Sequence, residues 1–128
     1  MSLNSRAKGA RMERFLRDEL RRLFRWNECR RSQQFCGATG EAADLTIPEC
    51  PEISVECKAV SRESVRAWMA QAIRDAELAS KIPVLAHKVP QKDWLVTLRL
   101  NDLPEIVKVL SKHTPEEESE SHLTTDST

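Results

Sequence analysis

The sequence predicts an α/β fold in which a central mixed five-stranded sheet is flanked by helices. Three observations predict it. Two stretches, 5–25 and 62–80, repeat apolar residues at three- and four-residue spacing. Short apolar runs bounded by turn residues lie between and after them. The resulting order is helix, three strands, helix, two strands, helix, which a sheet covered by helices accommodates. Helix 62–80 then serves as the crossover that returns the fourth strand beside the third.

The first helix carries Met12, Phe15, Leu16, Leu20, Leu23 and Phe24 on its apolar stripe, with Ser5 as N-cap. Glu13 falls between Leu20 and Phe24 on the helical wheel, at the core boundary. Two readings stand for it: an exposed charge paired with Arg17, or an acid reaching toward a site on the sheet. Residues 26–35 form a weak first strand. Gly37 and Gly40 mark a loop over 36–43. Asp44-Leu45-Thr46-Ile47 is the second strand, stopped by Pro48, and 52–58 is the third.

The second helix buries Val65, Trp68, Met69, Ala72, Ala76 and Ala79, with Ser61 as cap and Lys81 as its close. Gln71 lies off that stripe, either exposed or leaning over the strand ends. Ile82 to Lys88 is the fourth strand, with Pro83 tolerated near its start, and Asp93 to Arg99 is the fifth. Asn101 or Asp102 caps a last helix through Leu110. From Lys112 the composition turns to Glu, Ser and Thr, which bury no core, so 113–128 are expected to be a disordered acidic tail.

Chemistry concentrates at Ile53-Ser54-Val55-Glu56-Cys57-Lys58. Strand alternation puts Ile53, Val55 and Cys57 on one face and Ser54, Glu56 and Lys58 on the other. A carboxylate and an ammonium therefore point the same way, two residues apart, with Asp44 on the neighbouring strand. Carboxylates hold hard divalent cations, and a lysine stabilises charge that develops on a phosphate. Asp44, Glu56 and Lys58 are therefore read as a phosphodiester-hydrolysing centre.

Charge distribution agrees. Lys+Arg and Asp+Glu both total 20, yet residues 1–31 hold ten basic residues against four acids, and 114–128 hold five acids and no base. Without that tail the body carries 20 basic and 15 acidic residues, a surplus of five that suits a polyanionic partner. The first helix and Arg30-Arg31 offer a phosphate track. Charged residues interrupt any early apolar run, and no stretch is long and apolar enough to span a membrane. Four cysteines without a CxxC fit reduced thiols in a cytoplasm.

These pieces resemble the PD-(D/E)XK nuclease superfamily, and within it the Holliday junction resolvases of the archaeal type and their phage relatives. The matching residues are Lys8 to Arg14 opening the first helix, Arg31-Ser32 before the glycine loop, Asp44-Leu45, Val55 to Lys58, and Ile82 to Lys88 followed by Trp94-Leu95-Val96, in the family's order across 8–98. Ala43 stands where many members have proline. The loop from Ser32 to Asp44 looks longer than in compact archaeal resolvases, and the acidic tail has no counterpart.

The resemblance implies a restriction-endonuclease-like core, with 1–112 as the nuclease domain. It implies Asp44, Glu56 and Glu13 as ligands of Mg²⁺ (or Mn²⁺), Lys58 as catalytic lysine, and Ser32 and Gln71 as further site residues. Lys8, Arg11, Arg14, Arg30 and Arg31 would hold flanking phosphates. The expected function is metal-dependent cleavage of DNA, branched four-way junctions above all, by a homodimer in the cytoplasm of a prokaryote or phage-infected cell. Another DNase of the same fold (a nickase, or a restriction- or recombination-associated nuclease) and a non-catalytic DNA-binding protein are the alternatives.

Overall fold

A computed structural model describes residues 3–32, 43–58, 64–89 and 91–113. Helix α1 (Leu3–Phe24) precedes three strands, β1 (Arg30–Arg31), β2 (Leu45–Thr46) and β3 (Ile53–Lys58). Helix α2 (Val65–Leu78) leads to β4 (Ile82–His87) and β5 (Leu95–Thr97); a 3-10 turn (Leu100–Asp102) then opens α3 (Leu103–His113). The strands lie in sequence order in one mixed sheet. β3 and β4 run parallel through six paired positions, and the other neighbours run antiparallel. α2 is the parallel crossover, as the element order predicts.

Both faces of β3 are covered, so Ile53 to Cys57 are all buried. Ile53, Val55 and Cys57 pack with Leu16 of α1, Trp26 and Val109 of α3. On the opposite face Trp68, Met69 and Ala72 of α2 pack on Leu85. Ala72 and Ala76 are fully buried, and their small side chains let α2 lie close to the sheet. Glu56 alternates with Val55 and Cys57, so it points to the face that α2 covers.

Several boundaries differ from expectation. α1 starts at Leu3, which puts Ser5 inside its first turn and not at its cap. Of the expected strand 26–35, residues 33–35 lie outside the described residues; over 26–32 only Arg30–Arg31 is strand, because a turn closed by Cys29 N donating to Trp26 O (3.1 Å) folds both side chains into the core. α2 is capped by Ser64, whose Oγ accepts from Ala67 N at 3.2 Å; Ser61 lies outside the described residues. Its C-terminal end is set by Ser80 in the left-handed region (φ 57°), with Ser80 N donating to Glu77 O and Lys81 N to Ala76 O. Val65 and Ala79, expected in the buried stripe, are exposed and half-buried. The fourth and fifth strands are shorter than the expected 82–88 and 93–99. The expected cap residues Asn101 and Asp102 form the 3-10 turn, and no side chain caps its start.

α3 continues to His113, three residues past the expected end at Leu110 and one residue into the stretch expected to be disordered. His113 Nε2 bonds Glu52 Oε2 at 3.0 Å, and its carbonyl accepts from Trp26 Nε1 at 3.3 Å. Residues 33–42, which include all but the last residue of the glycine loop expected over 36–43, and residues 114–128 lie outside the described residues. Cys29, Cys50 and Cys57 are free and buried, in line with reduced thiols. Among the described residues no helix is long and apolar enough to cross a membrane.

Trp26 joins the two helix ends. Its ring is 2% exposed and stacks on Phe24 at 4.4 Å. Trp26→Ala is expected to destabilise the fold by about 3–5 kcal/mol through the cavity it leaves, measured as the shift in urea midpoint at constant slope.

Candidate active site

The antiparallel register that pairs Leu45 with Val55 brings Asp44 opposite Glu56, at the end of β3. Asp44 Oδ2 accepts from Cys57 N at 2.8 Å, so this side chain extends the ladder where the strands part. The backbone of Asp44 is pinned as well: its carbonyl accepts from Ser32 N at 2.9 Å. Ser32 is buried, and its Oγ shares a 2.7 Å hydrogen bond with Thr46 Oγ1. In this arrangement Ser32 positions Asp44, and its hydroxyl is turned to Thr46.

Glu56 is 3% exposed. Among the described residues its Oε2 is buried without a hydrogen-bond partner; the carboxyls of Asp44 and Asp75 lie beside the group. Burial first, then the Asp44 charge and the contacts with Asp75, push its pKa up to about 10. The carboxyl therefore holds its proton at neutral pH while no cation faces it. Cys57 lies in the same field, its thiol pushed up to about 12 by burial and by Asp44 and Glu13, which makes it inert.

Glu13 reaches the site from α1, but its partner is not the expected Arg17, which pairs with Asp18. Arg31 Nε donates to Glu13 Oε1 at 2.9 Å. Burial raises the Glu13 pKa, opposed by the Arg31 hydrogen bond; the Asp44 charge raises it further and Lys58 lowers it. Those mutual influences put Glu13, Asp44 and Lys58 in one neighbourhood. Lys58, half-buried, ends β3, and its carbonyl accepts from Lys88 N at 3.2 Å.

Asp75 was not legible as a site residue. It lies on α2 one turn after the half-buried Gln71, and this i, i+4 spacing on the crossover helix is the one signal that could have found it. Lys8, Arg11, Arg14 and Arg30 are exposed, and Arg31 is the partner of Glu13.

The expected three-carboxylate group of Asp44, Glu56 and Glu13 is not assembled. Among the described residues, no three His, Cys, Asp or Glu side chains form a group able to hold an ion. Glu13 is engaged by the guanidinium of Arg31. Asp44 and Glu56 still suit a hard cation: Mg²⁺ is commonly held by one or two carboxylates, with water and substrate phosphate filling the remaining positions. A buried carboxylate oxygen without a donor, facing a second carboxylate, is what such an ion satisfies.

The family model of phage putative PDDEXK endonucleases matches residues 4–127. The chain belongs to this family. None of the curated proteins matches the chain. Among solved structures, the chain is similar to Hjc of Archaeoglobus fulgidus, a Holliday junction resolvase from an archaeal hyperthermophile. The identity is 18%, covering 70% of this chain and 76% of that one, with a TM-score of 0.49.

The raised pKa of Glu56 fixes the sign of a stability effect. The folded chain keeps a proton that the unfolded chain releases from about pH 4.5, so this group costs stability progressively as pH rises toward about 10. In EDTA, Glu56→Gln is expected to be more stable than wild type at pH 8, by on the order of 1 kcal/mol or more. The gap should vanish near pH 4 in denaturation curves. Added Mg²⁺ should stabilise wild type and leave the variant unmoved.

Proposed function

We propose that this chain is a divalent-cation-dependent endonuclease that hydrolyses DNA phosphodiester bonds, with branched DNA such as four-way junctions as its substrate. The observation that carries the reading is the Glu56 carboxyl, buried opposite Asp44 with an oxygen that no donor among the described residues satisfies, two residues before Lys58. Membership of a PDDEXK endonuclease family supports the chemistry. The ordered similarity of 8–98 to archaeal-type junction resolvases supports the branched substrate.

Asp44 and Glu56 would hold the cation, Mg²⁺ or Mn²⁺ in its place. When bound, that ion supplies a Lewis acid for the phosphate and the charge that lets Glu56 ionise. Asp44 is held in orientation by the Cys57 amide and, through its backbone, by Ser32. Lys58 presents its ammonium to the phosphate oxygens and stabilises charge that grows there. Glu13, held by Arg31, limits how far that guanidinium can turn toward the DNA, and Gln71, half-buried on α2, is a further candidate for the site. Lys8, Arg11, Arg14 and Arg30 contribute sequence-independent, salt-sensitive affinity. A homodimer would set two such centres on opposed strands, as paired nicks across a junction require.

The test is cleavage of a labelled four-way junction beside a linear duplex of matching sequence, in Mg²⁺ or EDTA. Paired symmetric cuts in the junction alone, lost in EDTA and in Glu56→Ala, are expected, with Lys58→Ala slower by about a hundredfold or more. Cutting of both substrates removes the junction preference and keeps the centre. Folded wild type that binds DNA but cuts nothing under any divalent metal makes the chain a binding protein.

A further inference from the structure

An aromatic and cationic cluster lies beside the catalytic strand, on the side of α1 away from Glu13. Phe15 meets Trp94 edge to face, with ring centroids 6.1 Å apart. The Lys88 ammonium sits over both rings, 4.9 Å from the Phe15 centroid and 5.6 Å from that of Trp94. Phe15 is 45% exposed, an unusual loss for a large ring on a helix that has a core to pack against. The backbone hydrogen bond from Lys88 N to Lys58 O (3.2 Å) fixes the cluster next to the end of β3.

We infer that Phe15, Trp94 and Lys88 form a subsite that stacks an unpaired base of branched DNA and neutralises the phosphate next to it. This rests on the nuclease reading and specifies how that site would select a branch over continuous duplex. Bases inside a duplex are already stacked, whereas a branch point offers a free π-face. The exposed ring supplies a stacking platform, and Lys88 supplies the charge for the neighbouring phosphate. Lys8, Arg11 and Phe15 project within about 60° of one another at 100° per residue, so an exposed basic track leads along α1 to the ring. That charge favours DNA over a second copy of the chain as the occupant, because an interface core is depleted of charged residues.

The experiment uses full-length protein in EDTA, so that cutting does not interfere, with a fork carrying 2-aminopurine at its branch point and a linear duplex as probes. Wild type is expected to quench the 2-aminopurine on binding, as a stacked base is quenched. Phe15→Leu keeps an apolar contact with Trp94 but loses the ring face. It should bind the fork about tenfold more weakly, leave the base unquenched and change duplex affinity less than twofold. Lys88→Ala should weaken binding to both probes and flatten the salt dependence by about one phosphate contact. Equal affinity of wild type and Phe15→Leu for the fork, or an equal loss on both probes, overturns the inference. So does a shift of Phe15→Leu from dimer to monomer in sedimentation, which would make this face an interface between copies. Cleavage that stays metal-dependent in wild type while Phe15→Leu binds normally sinks this subsite alone; wild type that binds neither probe sinks the nuclease reading with it.

Discussion

The carboxyl of Glu56 is the constraint around which the centre is organised. It sits in the covered middle of the sheet, with Asp44 and Asp75 beside it and, among the described residues, no donor for one of its oxygens. A fold selected for stability alone would put an apolar residue there, as Val55 and Cys57 show on the other face of the same strand. Keeping an acid in that position means holding a proton that water would take, or holding a cation in its stead. Structural burial and chemical readiness are therefore one property of this residue.

The surrounding elements make the constraint tolerable. β3 is paired on both sides, so its backbone is satisfied without help from Glu56. Asp44 closes the gap where β2 ends by accepting the Cys57 amide. Ser32 and Thr46 tie the short outer strands to that same point. α2 lies close because Ala72 and Ala76 are small, and this closeness brings Asp75 within reach of Glu56. The two-residue strands β1 and β2 would be marginal alone; their role is to place Asp44, Ser32 and Arg31 around the end of β3.

Much of this was legible in the sequence, for definite reasons. Strand alternation fixed the side on which Glu56 and Lys58 emerge, and a crossover helix between two apolar runs implied the parallel pair. Helix and strand ends were misplaced where long-range contacts decide them: Trp26 left the expected strand to pack under α1, and α3 ran on to His113 because Glu52 and Trp26 receive it. The apolar stripe of α1 is only partly buried. Phe15 and Leu23 belong to its periodicity yet stand exposed, since periodicity reports spacing and not the width of the surface that covers it. Asp75 was missed because an acid on an amphipathic helix reads as solvated unless the facing strand is known. Glu13 was correctly drawn toward the core boundary, but its ion pair with Arg31 crosses from helix to strand, beyond what helical spacing can show.

α1 separates two tasks that conflict electrostatically. Carboxylates repel DNA, so the acids near the end of β3 need attraction supplied from elsewhere. Glu13 and Phe15 lie about 200° apart around the helix at 100° per residue, one turned to the acidic centre and the other to Trp94 and Lys88. The helix thus presents negative charge to the end of β3 and, on its far side, a basic and aromatic surface to the solvent. Attraction along the second surface falls off within about a Debye length, roughly 8–10 Å near physiological salt. The helix is itself about 10–12 Å across with its side chains. That separation is short enough for one DNA molecule to meet both surfaces, and long enough that the arginines do not neutralise the carboxylates that must receive the cation. Arg31 crosses over, and it is matched by Glu13.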